Sequence, residues 1–173
     1  MTLIHTALLC EAQTFIEKLK LKKVSSSPKI YADDSYIICI GGVGEENTKK
    51  SLNYIFQNYT IDKAINIGVA GCGDQSVKIG ELFCTNRVLK NIPYKTLITS
   101  NIPVVKNSIY NTDQLALYDM EGRYFEDICS DHLEKDDIYI FKIVSDHLDD
   151  TKLSKDFVKG LIFNKSNTLL SFK

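Results

Sequence analysis

The chain of 173 residues has no tryptophan, three prolines and two arginines. The scarcity of tryptophan and proline decides no class. Nowhere does an uncharged apolar run approach the roughly 20 residues of a membrane-spanning helix, which excludes a helical membrane protein. An excess of either charge is also missing, since 21 basic and 22 acidic residues leave a formal net charge of −1. That balance offers no basic footprint for nucleic acid and no polybasic stripe for an anionic membrane. The opening segment, Thr2 to Cys10, lacks the basic start and small-residue cleavage site of a signal peptide, so a soluble cytoplasmic protein is expected.

The five cysteines, Cys10, Cys39, Cys72, Cys84 and Cys129, are odd in number and never spaced C-x-x-C. Buried, reduced thiols are expected rather than disulfides or metal ligands. No metal set is expected elsewhere. Cys129 and His132 lie i, i+3 without a second ligand pair, and Asp146, Asp149 and Asp150 lack the glycine and terminal glutamate of a calcium loop. Ser145–Asp146–His147 has the letters of a triad, but adjacent residues point apart. The absence of G-x-x-x-x-G-K-[ST] argues against a nucleoside triphosphate loop.

What is present suits a packed core: 44% apolar and 25% charged residues, in a length that fits one domain over 1–173. Strand and helix patterns alternate. Leu3–Leu9 reads as a strand and Glu11–Leu21 as a helix with Phe15, Ile16 and Leu19 on one face. Lys29–Ala32 and Tyr36–Ile40 read as a hairpin across Asp33–Ser35. After Gly41–Gly44, the helix Glu45–Tyr59 places Leu52, Ile55, Phe56 and Tyr59 at i, i+3, i+4 and i+7. Lys63–Ile67 is a strand ending in the glycine-rich turn Gly68–Gly73. Gly80–Leu89 and Thr96–Thr99 are extended, and Ser100–Asn111 is a loop. Gln114–Tyr118 and Ile138–Val144 are strands, Glu121–Leu133 and Leu153–Phe163 helices, and Asn164–Lys173 a frayed tail. The alternation implies a three-layer αβα domain around a central mixed, largely parallel sheet.

Open α/β sheets bind ligands beyond the carboxyl ends of their strands. At those ends stand Glu11, the two glycine turns, Asp119–Met120–Glu121 and Ser145–Asp146–His147. Each feature has a structural reading. Acidic residues at helix starts cap free amides, and glycine permits close packing. Gly42-x-Gly44-x-x-Asn47 is a dinucleotide fingerprint without its third glycine.

Four segments together carry a resemblance: Ala7–Leu8–Leu9–Cys10–Glu11–Ala12; Gly41–Gly42–Val43–Gly44–Glu45–Glu46–Asn47; Ile65–Asn66–Ile67–Gly68–Val69–Ala70–Gly71; and Asp119–Met120–Glu121–Gly122 with Ile143–Val144–Ser145–Asp146. In these the chain resembles the nucleoside phosphorylase and nucleosidase superfamily, especially its methylthioadenosine/S-adenosylhomocysteine nucleosidase-like branch. The resemblance implies cleavage of the N-glycosidic bond of a purine nucleoside, with no cofactor and as a homodimer. Asp146 matches the acid that protonates or hydrogen-bonds the leaving purine, and Glu11 the base that activates water. Glu121 matches the group that binds ribose hydroxyls and sets negative charge under the oxocarbenium-like sugar. Met120 would pack on the sugar, Ser145 would support Asp146, and amides around Val69, Ala70 and Gly71 would hold water or base.

Three departures stand out. The chain is shorter than typical members between Arg87 and Thr96. The stretch Thr99–Ser100–Asn101–Ile102–Pro103 offers no aromatic to stack on the base. Lys142 stands where hydrolases of this kind often carry arginine, and is a candidate substrate-binding cation. Arginines pair bidentately with phosphate, and neither Arg87 nor Arg123 falls where phosphorylases place theirs, so water is the expected nucleophile. Phosphorolysis and a catalytically silent nucleoside-binding protein are the alternatives.

Overall fold

A computed structural model describes residues 1–106, 115–149 and 152–172. Its strands are β1 (Thr2–Thr6), β2 (Lys22–Ser26), β3 (Lys29–Ala32), β4 (Tyr36–Ile40), β5 (Lys63–Cys72), β6 (Leu82–Cys84), β7 (Leu97–Thr99), β8 (Leu117–Asp119) and β9 (Ile138–Asp146). The helices are α1 (Leu9–Leu19), α2 (Glu45–Asn58), α3 (Gly122–Ser130) and α4 (Lys155–Leu170). The strands form one mixed sheet in the order β2-β3-β4-β1-β5-β8-β7, with β9 pairing both β5 and β6. β4, β1, β5 and β9 run parallel, so their carboxyl ends gather at one rim. β2–β3–β4 is an antiparallel meander, and β8 and β6 join β5 and β9 antiparallel.

Alternation along the central strands divides the core in two. Ile4, Ile38, Ile65, Ile67, Phe141 and Ile143 pack beneath α1 and α4, with Phe15 and Ile162 facing them. Leu3, Ile37, Cys39, Ala64, Ile138 and Ile140 pack beneath α2 and α3, against Leu52, Ile55, Phe125 and Cys129. Period-2 side chains with cover on both faces are what a three-layer domain requires. All five cysteines are free and buried.

The structure corrects several sequence expectations. β1 stops at Thr6, not Leu9, because the Glu11 carboxylate gathers the amides of Ala7 and Leu8 and turns the chain into α1. The exposed, polar β2 carries no hydrophobic alternation that a sequence reading could use. β5 does not end at Ile67 but continues through its glycines to Cys72, held by β9 and β8. The tail is not frayed as far as Leu170. α4 buries Ser166 and Leu169, and Phe172 packs on Phe141 with ring centroids 5.1 Å apart. Gln114, Asp150 and positions 107–113 of the loop before β8 lie outside the described residues. No helix among the described residues is long and apolar enough to cross a membrane.

Candidate active site

At the rim where the parallel strands end, a cleft of about 270 Å³ is lined by Glu11, Val69, Gly71, Met120, Glu121, Ser145 and Asp146. Ala7, Leu8, Val43, Ile102, Leu148 and Leu153 give it an aliphatic wall. Its acidic residues are four: Glu11 from the start of α1, Asp119 from the end of β8, Glu121 from the loop that follows and Asp146 from the end of β9. Val43 brings the first glycine turn to the cleft, and Val69 and Gly71 bring the second. Ala70 and Lys142 sit behind the wall instead of on it.

Glu11 is 3% exposed. Oε2 accepts the N–H groups of Ala7 at 3.1 Å and Leu8 at 2.9 Å, while Oε1 accepts that of Val69 at 3.1 Å. The carboxylate therefore serves the free amides ahead of α1 and also ties that helix to β5. Burial pushes its carboxyl above the usual range, against the opposing pull of Lys142 and of the bonded amides.

Glu121 does not cap its own helix. Oε1 accepts the Gly44 N–H at 2.9 Å, fixing the glycine turn before α2. Asp119 takes the capping role, accepting the Gly122 N–H at 2.7 Å. Burial raises the Glu121 carboxyl as well, with Lys142 and the Gly44 amide pulling the other way.

Asp146 owes its place to an irregularity. The β5–β9 register slips between Ala70 and Gly71, so that Ala70 pairs with Val144 and Gly71 with Asp146, leaving Ser145 as the extra residue of a bulge. The bulge brings both Ser145 and Asp146 to the cleft. Asp146 Oδ1 accepts the Leu148 N–H at 2.8 Å, and Oδ2 lies 2.6 Å from the Ser145 hydroxyl. Ser145 Oγ is also 3.2 Å from the Ala70 carbonyl. A hydroxyl carries one proton and two lone pairs. Ser145 can therefore donate to an ionised Asp146, or turn to Ala70 and accept from a protonated one.

Two glycines make the approach possible, neither with positive φ. A Cβ on Gly71 would lie 2.4 Å from Leu148 Cδ2 and 3.1 Å from Asp146 Oδ1. A Cβ on Gly68 would lie 3.0 Å from Glu11 Oε1 and 3.3 Å from Lys142 Nζ. The glycine run is thus a strand stripped of side chains where carboxylates press against it.

Lys142 is 1% exposed and paired with Asp119, Nζ to Oδ2 2.7 Å. Burial acts to lower its ammonium, but Asp119, Glu121 and Glu11 outweigh that and hold it above the ordinary lysine range. Asp119 is the partner that sequence reasoning passed over. It was visible among the acids at strand ends, but nothing in the spacing links it to position 142. The arginines lie elsewhere: Arg87 bonds the carbonyls of Asp136 and Ile138, and Arg123 faces Asp127. Among the described residues no group of side chains is arranged to hold a metal ion.

No family model and no curated protein matches the chain. Solved structures do. Helicobacter pylori 5′-methylthioadenosine/S-adenosylhomocysteine nucleosidase with butyl-thio-DADMe-Immucillin-A is 12% identical with a TM-score of 0.82, covering 98% of this chain and 96% of that one. The Campylobacter jejuni nucleosidase of the same kind is 16% identical with a TM-score of 0.81 and the same coverage. Futalosine hydrolase of Helicobacter pylori is 12% identical with a TM-score of 0.82, covering 98% and 95%. The chain shares the fold of these structures, two of which are nucleosidases and one a futalosine hydrolase.

Proposed function

We propose that this chain is a single nucleoside phosphorylase-like domain that hydrolyses the N-glycosidic bond of an adenosine-like nucleoside, of the methylthioadenosine/S-adenosylhomocysteine type. The observation that carries this reading is the convergence of Glu11, Glu121 and Asp146, from three separate elements, on one cleft at the strand ends. In this reading Asp146 protonates or hydrogen-bonds the purine as the bond from sugar carbon to base nitrogen breaks, with Ser145 holding its Oδ2. Glu11 takes a proton from the water whose oxygen joins that carbon, and the Val69–Gly71 edge holds water or base. Glu121 binds the ribose hydroxyls and Met120 packs on the sugar. The aliphatic wall, from Leu8 and Val43 to Leu153, suits an uncharged 5′ substituent.

Water is favoured over phosphate because no arginine lines the cleft and Lys142 is sealed behind it on Asp119. Lys142 then acts on the carboxylates and not on a substrate anion. Leu8, Val43 and Ile102 stand exposed at the mouth (42%, 42% and 70%), which supports a second copy of the chain there and hence a homodimer. The free thiols support a cytoplasmic setting. Base release from a panel of purine nucleosides in phosphate-free buffer tests the reading. Adenine appearing without phosphate is expected. Release that requires phosphate makes the protein a phosphorylase, and binding without release makes it a silent binder.

A further inference from the structure

At the floor of the cleft three largely buried carboxylates, Glu11, Asp119 and Glu121, gather around one ammonium, that of Lys142 just behind them. Lys142 Nζ meets Asp119 Oδ2 at 2.7 Å, with side chains 2% and 1% exposed. Asp119 is pinned from two sides, since Oδ1 accepts the Thr99 hydroxyl at 2.6 Å and Oδ2 the Gly122 N–H at 2.7 Å. On the cleft side, Glu11 Oε1 and Lys142 Nζ both crowd the bare face of Gly68, each within 3.3 Å of where its Cβ would stand. The charges do not balance. Asp119 cancels Lys142, and Glu11 and Glu121 then have no cation of their own among the described residues around them. Two carboxylates in so dry a place hold a proton more tightly than they would in water.

The other titratable groups nearby do not supply the missing charge. His5 on β1 is fully buried and neutral. Cys10 on α1 is a thiol that burial keeps protonated. Asp146 on β9 is a further acid, and Arg123 of α3 is turned outward to Asp127. The two glutamates are also unequal. Glu11 accepts N–H bonds from Ala7, Leu8 and Val69 and Glu121 from Gly44 and its neighbour Met120, and such bonds favour the ionised form.

Resting on the nucleosidase reading, we propose that Asp119 and Lys142 are a matched pair of positioning residues that set the pH at which the Glu11–Glu121 couple gives up its last proton. Asp119 holds the ammonium in direct contact and leaves the glutamates only part of its pull. The couple is therefore fully ionised, and the base fully available, only above that pH. The last of these protons to leave sets the acid limb of turnover.

Two variants should move that limb in opposite directions. Asp119→Asn is close to isosteric and releases the ammonium to the glutamates, so the limb falls by on the order of 1 pH unit. Lys142→Met removes the cation, and the limb rises. A merely structural role would lower turnover at every pH and leave the limb where it was. The closing experiment is a carbon-13 NMR titration of the glutamate side-chain carboxyls in wild type and both variants, with signals assigned by Glu11→Gln and Glu121→Gln. Opposite displacements of the Glu11 and Glu121 midpoints in the two variants support the proposal. Unmoved midpoints, or midpoints displaced in the same direction by both variants, overturn it. If Lys142→Met does not fold, the downward displacement in Asp119→Asn decides alone. The titration needs no turnover, so a protein that releases no base would overturn the nucleosidase reading while the charge relation is still measured.

Discussion

Two buried polar centres lie on the same face of the sheet, a short run of strand apart, and they are built on opposite principles. In the lower one, His5 pairs in register with Asn66 across β1 and β5. Asn66 Nδ2 lies 3.3 Å from His5 Nδ1, His5 Nε2 lies 3.1 Å from Ser51 Oγ, and Ser51 donates to the Thr48 carbonyl at 3.0 Å. The chain has one direction, with Nε2–H donating to Ser51 and Nδ1 accepting from Asn66. Burial, helped by Lys142, holds His5 far below its ordinary value, at about 3, so this centre is neutral. Two residues further along β5, Gly68 pairs with Lys142, and the upper centre keeps its charges. Neutral buried polar groups can be satisfied and left alone. Buried carboxylates in excess of their cations are costly, and such sites are where function is to be sought.

The sharpest way to break this contrast is to neutralise the upper centre. Asp146→Asn or Glu11→Gln should lower kcat/KM for base release by about 10²-fold or more while the thermal midpoint moves by only a few degrees. A variant that keeps its turnover would remove the distinction between the two centres.

The lower centre should answer in stability instead. His5→Leu leaves Ser51 and Asn66 without their ring partner and should cost about 1–3 kcal/mol in urea unfolding, with kcat little changed. Its pH signature has a definite sign. The unfolded chain protonates His5 near the ordinary histidine value of 6.5, whereas the folded chain waits until about 3. Between those values the unfolded state binds more protons, so stability rises with pH and is lost as pH falls. Glu11 and Glu121 act with opposite sign. Their folded carboxyls lie above the unfolded ones, so their contribution is present in acid and lost as pH rises through the folded value. Comparing unfolding at pH 7 and pH 5 should show His5→Leu losing less stability on acidification than wild type.

Glycine substitutions refine the comparison further. A Cβ on Gly41 would lie 2.3 Å from His5 Nε2 and 2.6 Å from Ser51 Oγ, so Gly41→Ala should destabilise by about 1–3 kcal/mol. Gly68→Ala meets the ends of Glu11 and Lys142 at 3.0 and 3.3 Å, which can yield slightly, so turnover should suffer more than the melting temperature. Phe172→Ala touches neither centre. It should cost about 1 kcal/mol through the lost ring contact with Phe141 and leave base release unchanged.

Local signals made much of this legible. Tyr36–Ile40 and the start of α2 at Glu45 follow from an apolar run and from a glycine turn before a 3.6-residue period. The strand-end acids were visible because an open α/β sheet dictates where to look. What stayed hidden is non-local. Gly68–Cys72 has turn composition, yet it is strand because β8 and β9 hold it and because Glu11 and Asp146 need the space. The Asp119–Lys142 pair and the Asn66–His5–Ser51 chain join residues 23 to 61 apart in sequence, which no spacing rule connects. α4 outran its pattern because Ser166 and Leu169 are buried on β9's side of the sheet while its outer face stays mixed.

On the proposed function, the carboxylates at the strand ends do the chemistry and are not merely caps. Binding of 5′-methylthioadenosine by calorimetry, measured beside adenine release for wild type and Glu11→Gln in phosphate-free buffer, tests it directly. The expected result is affinity within severalfold of wild type and release slowed by about 10²-fold or more. Equal release by the two proteins would contradict it.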